Sequence, residues 1–556
     1  MIDEIAEYIG QLDYVGSVEV EGKNILVCVS IKGDEYKLKI NLGGDFPSKL
    51  PDVRVEDASK YGYLPHVCWK SKLCYSDEEG VNIDTSQPKF IVEHVLLDSI
   101  ESLSVSDDEK ENEFFNEFEG YWNKQETSHP AYSFIKLSKR ARVIYTAVRK
   151  KGSVAIAFYD DDSKKAIGKE YTFHNKCISN KTIKKALFLP LDTWINPPLH
   201  GEEITIDFLN NILIALSKDN REFWDEYVDS GDHPKDALHL LISQPRPKGG
   251  VSLYGLHIQF AKSWLSNPSK PYRHKIYPLF IKRHTDEHLL PRSGSEVSVG
   301  NKKIVIVGCG SVGGRIAELL VTSGIKELYL IDGDKVDSEN IYRQVHETQY
   351  IGISKVDSLK VQLEKRYPYL TIHTSNAFIN DLSSNIVGYD AIVDATGSPT
   401  INRIFTRNHR QIQSTEKPYL LTVWLEVLGL GGHAVLSKGR DKGCLCCLYH
   451  RDNTEIPSSL FSFVEEGQVL SKNLTGCGGA FTSFSNLDVV KTAEMAVRLL
   501  VYALDESESS HKNYAFWKGK NALAKKEHIR TTGWYMSNNS EDIDLVFSEG
   551  CPVCQS

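Results

Sequence analysis

No stretch of the 556 residues holds an apolar run near the roughly 18 residues that a bilayer-spanning helix needs. Positive charge is also short: 65 Lys and Arg face 74 Asp and Glu, a net charge of −9. Clustered Lys and Arg supply most affinity for phosphate backbones, so no nucleic-acid partner is expected, and no membrane partner either. The opening residues, MIDEIAEYIG, are acidic and amphipathic, without the basic start and apolar core of a secretory signal. Cysteines are sparse. Eleven, an odd number, do not build a disulfide scaffold in so long a chain. Together these shortages predict a cytoplasmic protein in a reducing compartment, with thiols available for metal or catalysis. Internal repeats and low-complexity tracts are also missing.

At 41% hydrophobic and 25% charged residues, the composition is that of a folded protein. At about 150 residues per domain, the length predicts three or four domains, and the pattern along the chain favours three. Residues 1–130 read as a small α+β domain. Ile2, Ile5, Ala6 and Ile9 share one helical face. Tyr36, Leu38, Ile40 and Leu42 alternate with Lys37, Lys39 and Asn41 as in a half-buried strand, with 25–31 as hairpin partner. Phe46-Pro47 and Leu50-Pro51 bar a central strand between them. Helical spacing returns at Ile91, Val95, Leu96, Ile100 and Leu103, and a further helix carries Phe114, Phe115, Phe118, Tyr121 and Trp122 on one side. Residues 131–285 read as an α/β linker domain with a strand at 154–159 and helices at 208–217 and 253–264, and no chemistry is assigned to it. From 286 to 556 the pattern is βαβ: a strand at 303–307, a glycine loop, a helix at 315–321 and a strand at 327–331. Further strands at 391–393 and 419–422 predict an open parallel, Rossmann-like sheet, making the whole chain α/β.

Gly308-Cys309-Gly310-Ser311-Val312-Gly313 is a GxGxxG loop between strand and helix. Glycines there admit a phosphate, and the helix N-terminus offers N–H donors. Asp332, ending the second strand, is placed to take ribose hydroxyls. Alone, the loop fits a dinucleotide dehydrogenase as well. The run from Asp332 through Asp334, Val336, Asn340, Arg343 and Gln344 resembles the D-x-D-x-V-x-x-x-N-x-x-R-Q run of the ThiF, MoeB and ubiquitin-activating superfamily. Lys355 stands where that superfamily places its phosphate lysine. The resemblance implies adenylation of a C-terminal carboxylate with ATP, with Asn340, Arg343 and Lys355 countering charge on the departing pyrophosphate. Where the superfamily often has D-x-T-D-N, this chain reads Asp394-Ala395-Thr396-Gly397-Ser398. Gly397 occupies the place of the acid near Mg2+, and Asp394 is left for that role. The segment from Arg283 to Arg292 resembles the R-Y-x-R-Q opening element, implying a homodimer in which one of these arginines reaches the partner's nucleotide.

Cys444-x-x-Cys447 and Cys551-x-x-Cys554 offer four thiolates, the donor set of a closed structural Zn2+ site, and related enzymes carry such a site in this place. Cys477 is flanked by Gly476 and Gly478 just before a helix beginning near Asn486, a setting that leaves a thiol accessible. The resemblance gives it the place of the thioester-forming cysteine. Near the N-terminus, 45–55, Leu64-Pro65-His66-Val67 and Leu73-Cys74 resemble a ubiquitin-conjugating domain, which reads YPxxPPxVxF, then HPNV, then its active cysteine eight residues after the Asn. Cys74 lies eight residues after His66. His66 thus replaces the oxyanion-associated Asn, a role in which imidazole can also donate, and Leu64 replaces the leading His. Cys68 is off that spacing.

The order and length of the whole chain resemble the fused conjugating-plus-activating proteins of bacterial antiphage CBASS operons. That resemblance implies a cycle in which the C-terminus of a cGAS-like nucleotidyltransferase is adenylated, carried as a thioester on Cys477 and then on Cys74, and passed to an acceptor protein. Three rival readings stay open. A sulfur-carrier adenylyltransferase leaves the N-terminal domain unexplained, a dehydrogenase lacks a hydride-transfer site, and a non-enzymatic binder makes Cys74 dispensable.

Overall fold

The computed structural model describes residues 1–556 except 62–63, 69–70, 77–79, 106, 124, 126–127, 149–155, 162–171, 174–175, 178–182, 199–202, 233–236, 261–273, 295–296, 368, 380–385, 387, 413–416, 440–442, 450–458, 474–479, 506–512, 540–541, 544–547 and 556. Two compact units divide the chain, Met1–Thr285 and Asp286–Ser556.

In the first unit, helix Ile2–Ile9 buries Ile5, Ala6 and Ile9, and an antiparallel sheet of six strands follows. Its order is Val15–Glu21, Asn24–Ile31, Asp34–Asn41, Asp52–Val55, Lys72–Leu73 and Val67–Cys68. The expected hairpin pairs Val27 with Leu38 and Val29 with Tyr36. Lys32 and Gly33 make its turn at φ of 53° and 94°, the handedness that two-residue hairpins favour. Helix Pro88–Leu103 sets Val92, Val95 and Leu96 into one core with Ile5, Ile9, Val27, Leu38 and Val53. The aromatic helix is two helices, Asp107–Asn116 and Phe118–Asn123, broken at Glu117.

A closed barrel of seven strands occupies the rest of this unit, in the order Ile183–Pro190, Ala237–Pro245, Val251–Phe260, His274–Arg283, His129–Ser133, Ile156–Tyr159 and Arg142–Val148. Strand His129–Ser133 straddles the boundary expected at 130. Ala131, Ile144, Phe158, Phe188, Leu241, Leu253 and Leu279 form one core, drawn from all seven strands. Leu238, Leu240, Tyr254 and Leu256 form another, packing against helices Ile206–Ile214 and Lys218–Asp229 together with Phe118 and Trp122. One expectation is corrected: the helix expected at 253–264 is strand Val251–Phe260 as far as it is described. Leu253, Leu256, Phe260 and Trp264 fall at helical spacing, but Tyr254, Leu256 and Ile258 also alternate with Gly255, His257 and Gln259, and the strand period is the one the fold adopts.

The second unit is built on an eight-stranded sheet. Thr371–Ser375, Glu327–Ile331, Lys303–Val307, Ala391–Asp394 and Tyr419–Leu425 run parallel, and Gly431–Lys438, Tyr514–Lys518 and Asp542–Ile543 extend it antiparallel. Along Lys303–Val307 the side chains alternate between two cores. Ile304 and Ile306 join helices Ser311–Thr322, Lys355–Arg366 and Asn486–Leu504, while Val305 and Val307 meet Phe405 of helix Pro399–Gln411. No described helix is long and apolar enough to cross a membrane.

Candidate functional site

The strand order reverses between Lys303–Val307 and Ala391–Asp394. Carboxyl ends of strands at such a reversal border a crevice suited to ligands. Two of the loop glycines are demanded by close approach. Gly308 holds φ +87°, and a Cβ there would lie 2.8 Å from the Ala395 carbonyl oxygen. A Cβ on Gly313 would lie 1.8 Å from the Gly308 carbonyl oxygen. Gly310 has room, its nearest such neighbour being Gln344 Nε2 at 3.9 Å.

Asp332 ties the loop to the next turn: its Oδ2 accepts from the Cys309 N–H at 2.7 Å and its Oδ1 from the Asp334 N–H at 2.8 Å. Asp334 pairs with Lys355 Nζ at 2.7 Å. Lys355 opens its helix and is 8% exposed. Asn340 Oδ1 accepts from Arg343 Nε at 3.1 Å, and Arg343 Nη1 donates to the Thr482 carbonyl at 3.1 Å above the Phe484 ring. Burial lowers the Arg343 guanidinium from its ordinary value. Gln344 Oε1 is buried with no hydrogen-bond partner among the described residues. The open glycine loop and two cations suit an anionic ligand, and the orphaned Gln344 acceptor suits a donor group on it.

Asp394 departs from its expected role. It is fully buried, accepts from Thr396 Oγ1 at 2.8 Å and Asn402 Nδ2 at 2.6 Å, and burial pushes its carboxyl up. With both oxygens engaged and no exposure, Asp394 as placed does not fit a Mg2+ ligand; it fastens the strand exit to helix Pro399–Gln411. Two neighbours escaped the sequence reading. His346 bridges the Cys309 carbonyl (3.0 Å) and Ser358 Oγ (3.1 Å), and burial lowers its imidazole from the ordinary value. Phe378 is 75% exposed yet lies so close to Gly333 that a Cβ there would meet its ring at 2.6 Å. No motif spacing points to either.

The four paired cysteines do meet. Sγ separations are 3.9 Å for Cys444–Cys447, 3.8 Å for Cys444–Cys551, 3.5 Å for Cys447–Cys554 and 3.4 Å for Cys444–Cys554. Ligands 2.3 Å from a tetrahedral metal are about 3.8 Å apart, so the donor set fits Zn2+. The Cys447 thiol is pushed up by its hydrogen bond to Cys444 and then by burial, a penalty that a cation reverses. Cys446 lies outside this set. Cys477 falls in 474–479, outside the described residues. The helix expected near it is Asn486–Leu504, started by a Ser485–Asp488 capping box.

In the first unit, Cys74 follows strand Lys72–Leu73 and is exposed, whereas Cys68 is buried. The Cys74 N–H donates to the His66 carbonyl at 2.7 Å. His66 Nδ1 lies 2.9 Å from Glu117 Oε1, a hydrogen bond that raises the imidazole above its usual value against the opposing effect of burial. Arg283 is already engaged: it pairs with Glu119 and donates to the Val251 carbonyl at 2.8 Å. Arg292 is exposed.

Residues 289–503 match the ThiF family, and residues 17–130 match prokaryotic E2 family B. Among relatives, the adenylyltransferase and sulfurtransferase UBA4 of Debaryomyces hansenii is 34% identical over 164 residues, covering 27% of this chain and 37% of that protein. The chain thus spans little more than a third of the length of that relative. The ATP-dependent ubiquitin transferase-like protein Cap2 of Escherichia coli (strain TW11681) is 22% identical over 493 residues, covering 80% of each chain. Among solved structures, E. coli MccB with ATP aligns over 47% of this chain and 68% of its own, at 17% identity and a TM-score of 0.34.

Proposed function

We infer, from a chain that joins a prokaryotic E2 family B domain to a ThiF-family domain, that the protein adenylates the C-terminal carboxylate of another protein with ATP and relays the acyl group over two cysteines to an acceptor. The observation that carries this reading is the pairing, in one polypeptide, of a glycine-loop crevice holding Lys355 and Arg343 with an exposed Cys74. A donor carboxylate oxygen attacks the α-phosphorus and pyrophosphate leaves. Cys477 then attacks the acyl carbon and AMP leaves, Cys74 takes the acyl group by thiol exchange, and an acceptor amine or thiol removes it.

Gly310 gives the phosphates backbone access, while Gly308 and Gly313 let the loop close on itself and on Ala395. Asp332 meets the ribose, Lys355 and Arg343, held by Asp334 and Asn340, counter the charge on pyrophosphate, and Gln344 is left to accept from the ligand. Mg2+ accompanies ATP in such chemistry, but Asp394 as placed supplies no ligand for it, so no step is assigned to that ion. Cys444, Cys447, Cys551 and Cys554 would hold Zn2+, which supplies a structural clamp. The donor we propose is the C-terminus of a cGAS-like nucleotidyltransferase in antiphage defence. In the homodimer we propose, Arg292 reaches the partner's nucleotide, since Arg283 is spent on Glu119.

Mass spectrometry of the protein co-expressed with its operon neighbours tests the reading. An acyl adduct on Cys74 or Cys477 is expected and would name the donor. Tight NAD binding without ATP binding, read by calorimetry, would overturn it. The likeness to UBA4 favours a second reading, a sulfur-carrier adenylyltransferase with an accessory N-terminal domain; pyrophosphate exchange without any Cys74 adduct would select it.

A further inference from the structure

Helices Asp107–Asn116 and Phe118–Asn123 hold acids that divide between two neighbours. Glu119 accepts from the Leu253 N–H at 2.6 Å and pairs with Arg246 at 3.0 Å and with Arg283. Glu113 pairs with Lys248, whose N–H donates to Asn116 Oδ1 at 3.0 Å. Trp122 Nε1 donates to the Leu279 carbonyl at 2.9 Å. Those partners all belong to barrel strands or to the turn that joins two of them. Glu117, at the break between the helices, reaches the conjugating-type site instead. Its Oε1 takes His66 Nδ1 at 2.9 Å and its Oε2 accepts from Tyr121 OH at 3.3 Å. His66 sits at φ +63°, which a non-glycine residue holds when its surroundings fix it, and its carbonyl receives the Cys74 N–H.

We propose that Glu117 is the positioning residue of the Cys74 site: it anchors His66 through Nδ1 so that Nε2–H can serve the oxyanion formed when a Cys74 thioester is attacked, while the barrel fixes Glu117 by gripping the helices on either side. The inference rests on the conjugation reading. In the step concerned, an acceptor amine adds to the thioester carbon and the carbonyl pair moves to oxygen, where His66 donates a hydrogen bond. The C–S bond then breaks, the electron pair stays on Cys74 sulfur, and the amine proton passes to solvent. Because Nδ1–H is given to Glu117, only the imidazolium keeps a second N–H at Nε2. Among the described residues, the charged groups facing His66 are Glu117 and Glu113, which favour that form, and Lys248, which opposes it.

The test uses the full chain and its Glu117→Gln and Glu117→Asp variants. Cys74 is loaded by exchange with a short peptide α-thioester of mercaptoethanesulfonate, which bypasses adenylation, with Cys74→Ala as the blank. In Glu117→Gln the His66 titration midpoint, read by NMR, should fall, because the acceptor that favours the imidazolium is lost while burial still opposes it. Discharge to free lysine should slow about tenfold at pH 8, and the gap between the two proteins should narrow as the pH falls and both imidazoles take up a proton. Glu117→Asp should restore most of the rate. An unmoved midpoint, a moved midpoint with an unchanged discharge profile, or a Cys74 that does not load would each overturn the proposal. ATP–pyrophosphate exchange, measured on the same samples, should not change; its absence in the unmodified protein would instead sink the adenylation reading and leave the Glu117 result standing.

Discussion

In the glycine-loop crevice, Gly308, Asp332, Asp334, Asn340, Arg343 and Lys355 follow one another along a single βαβ passage. The site around Cys74 draws on His66 from one loop, Glu117 from a helix break and, behind that break, Arg246, Lys248 and Arg283 from a barrel. The first arrangement is secured by strand ends and by backbone contacts that only glycine permits. The second is secured by ion pairs across a packed boundary. A crevice made locally should tolerate changes elsewhere in the chain, whereas a thiol site made by docking should not.

The sharpest separation comes from the two cysteines. Cys477→Ala should abolish every covalent adduct on non-reducing gels while leaving pyrophosphate exchange at its original rate, and Cys74→Ala should accumulate an adduct on Cys477 that reducing agent cleaves. A Cys74 still charged in the Cys477→Ala protein would make Cys477 structural and break the relay. Next, Lys355→Ala should cut pyrophosphate exchange by about a hundredfold, the scale of losing a donor that meets developing charge, with Cys74 loading from a peptide thioester unaffected. A parallel fall in both would mean that the two sites are not independent.

Metal analysis after purification without chelator should find one zinc per chain. Cys554→Ser should lose it and lower the melting temperature, because binding to such a site is folding energy. The smallest effect is expected at Phe378. Its exposed ring beside Gly333 is suited to a purine face, and Phe378→Ala should raise KM for ATP about tenfold with little change in kcat, in line with base–aromatic stacking. An unchanged KM would leave the exposure of Phe378 without a use.

Local pattern accounts for what could be read in advance. Alternation in 36–42, the glycine loop and the CxxC pairs each state their structure within a few residues, and the Val27–Leu38 register and the four converging sulfurs follow from them. Strand Val251–Phe260 was hidden because Leu253, Leu256 and Phe260 fit helical spacing as well as Tyr254, Leu256 and Ile258 fit a strand. Glu117 was hidden because nothing near it in sequence distinguishes it from Glu113 or Glu119; packing alone turns one acid toward His66 and the others toward the barrel. Asp394 shows the converse case, a motif position whose side chain the fold has turned inward.

The four cysteines also govern how the second unit would come apart. Strand Tyr514–Lys518 lies beside Gly431–Lys438, and Cys551 and Cys554 meet Cys444 and Cys447. The polypeptide between 439 and 513 is therefore a loop whose two ends are fastened to the same sheet. A protease cutting at the exposed turn Glu465–Gly467 would sever the chain without parting it: a native gel would show one species and a denaturing gel two, until the thiols or the sheet gave way.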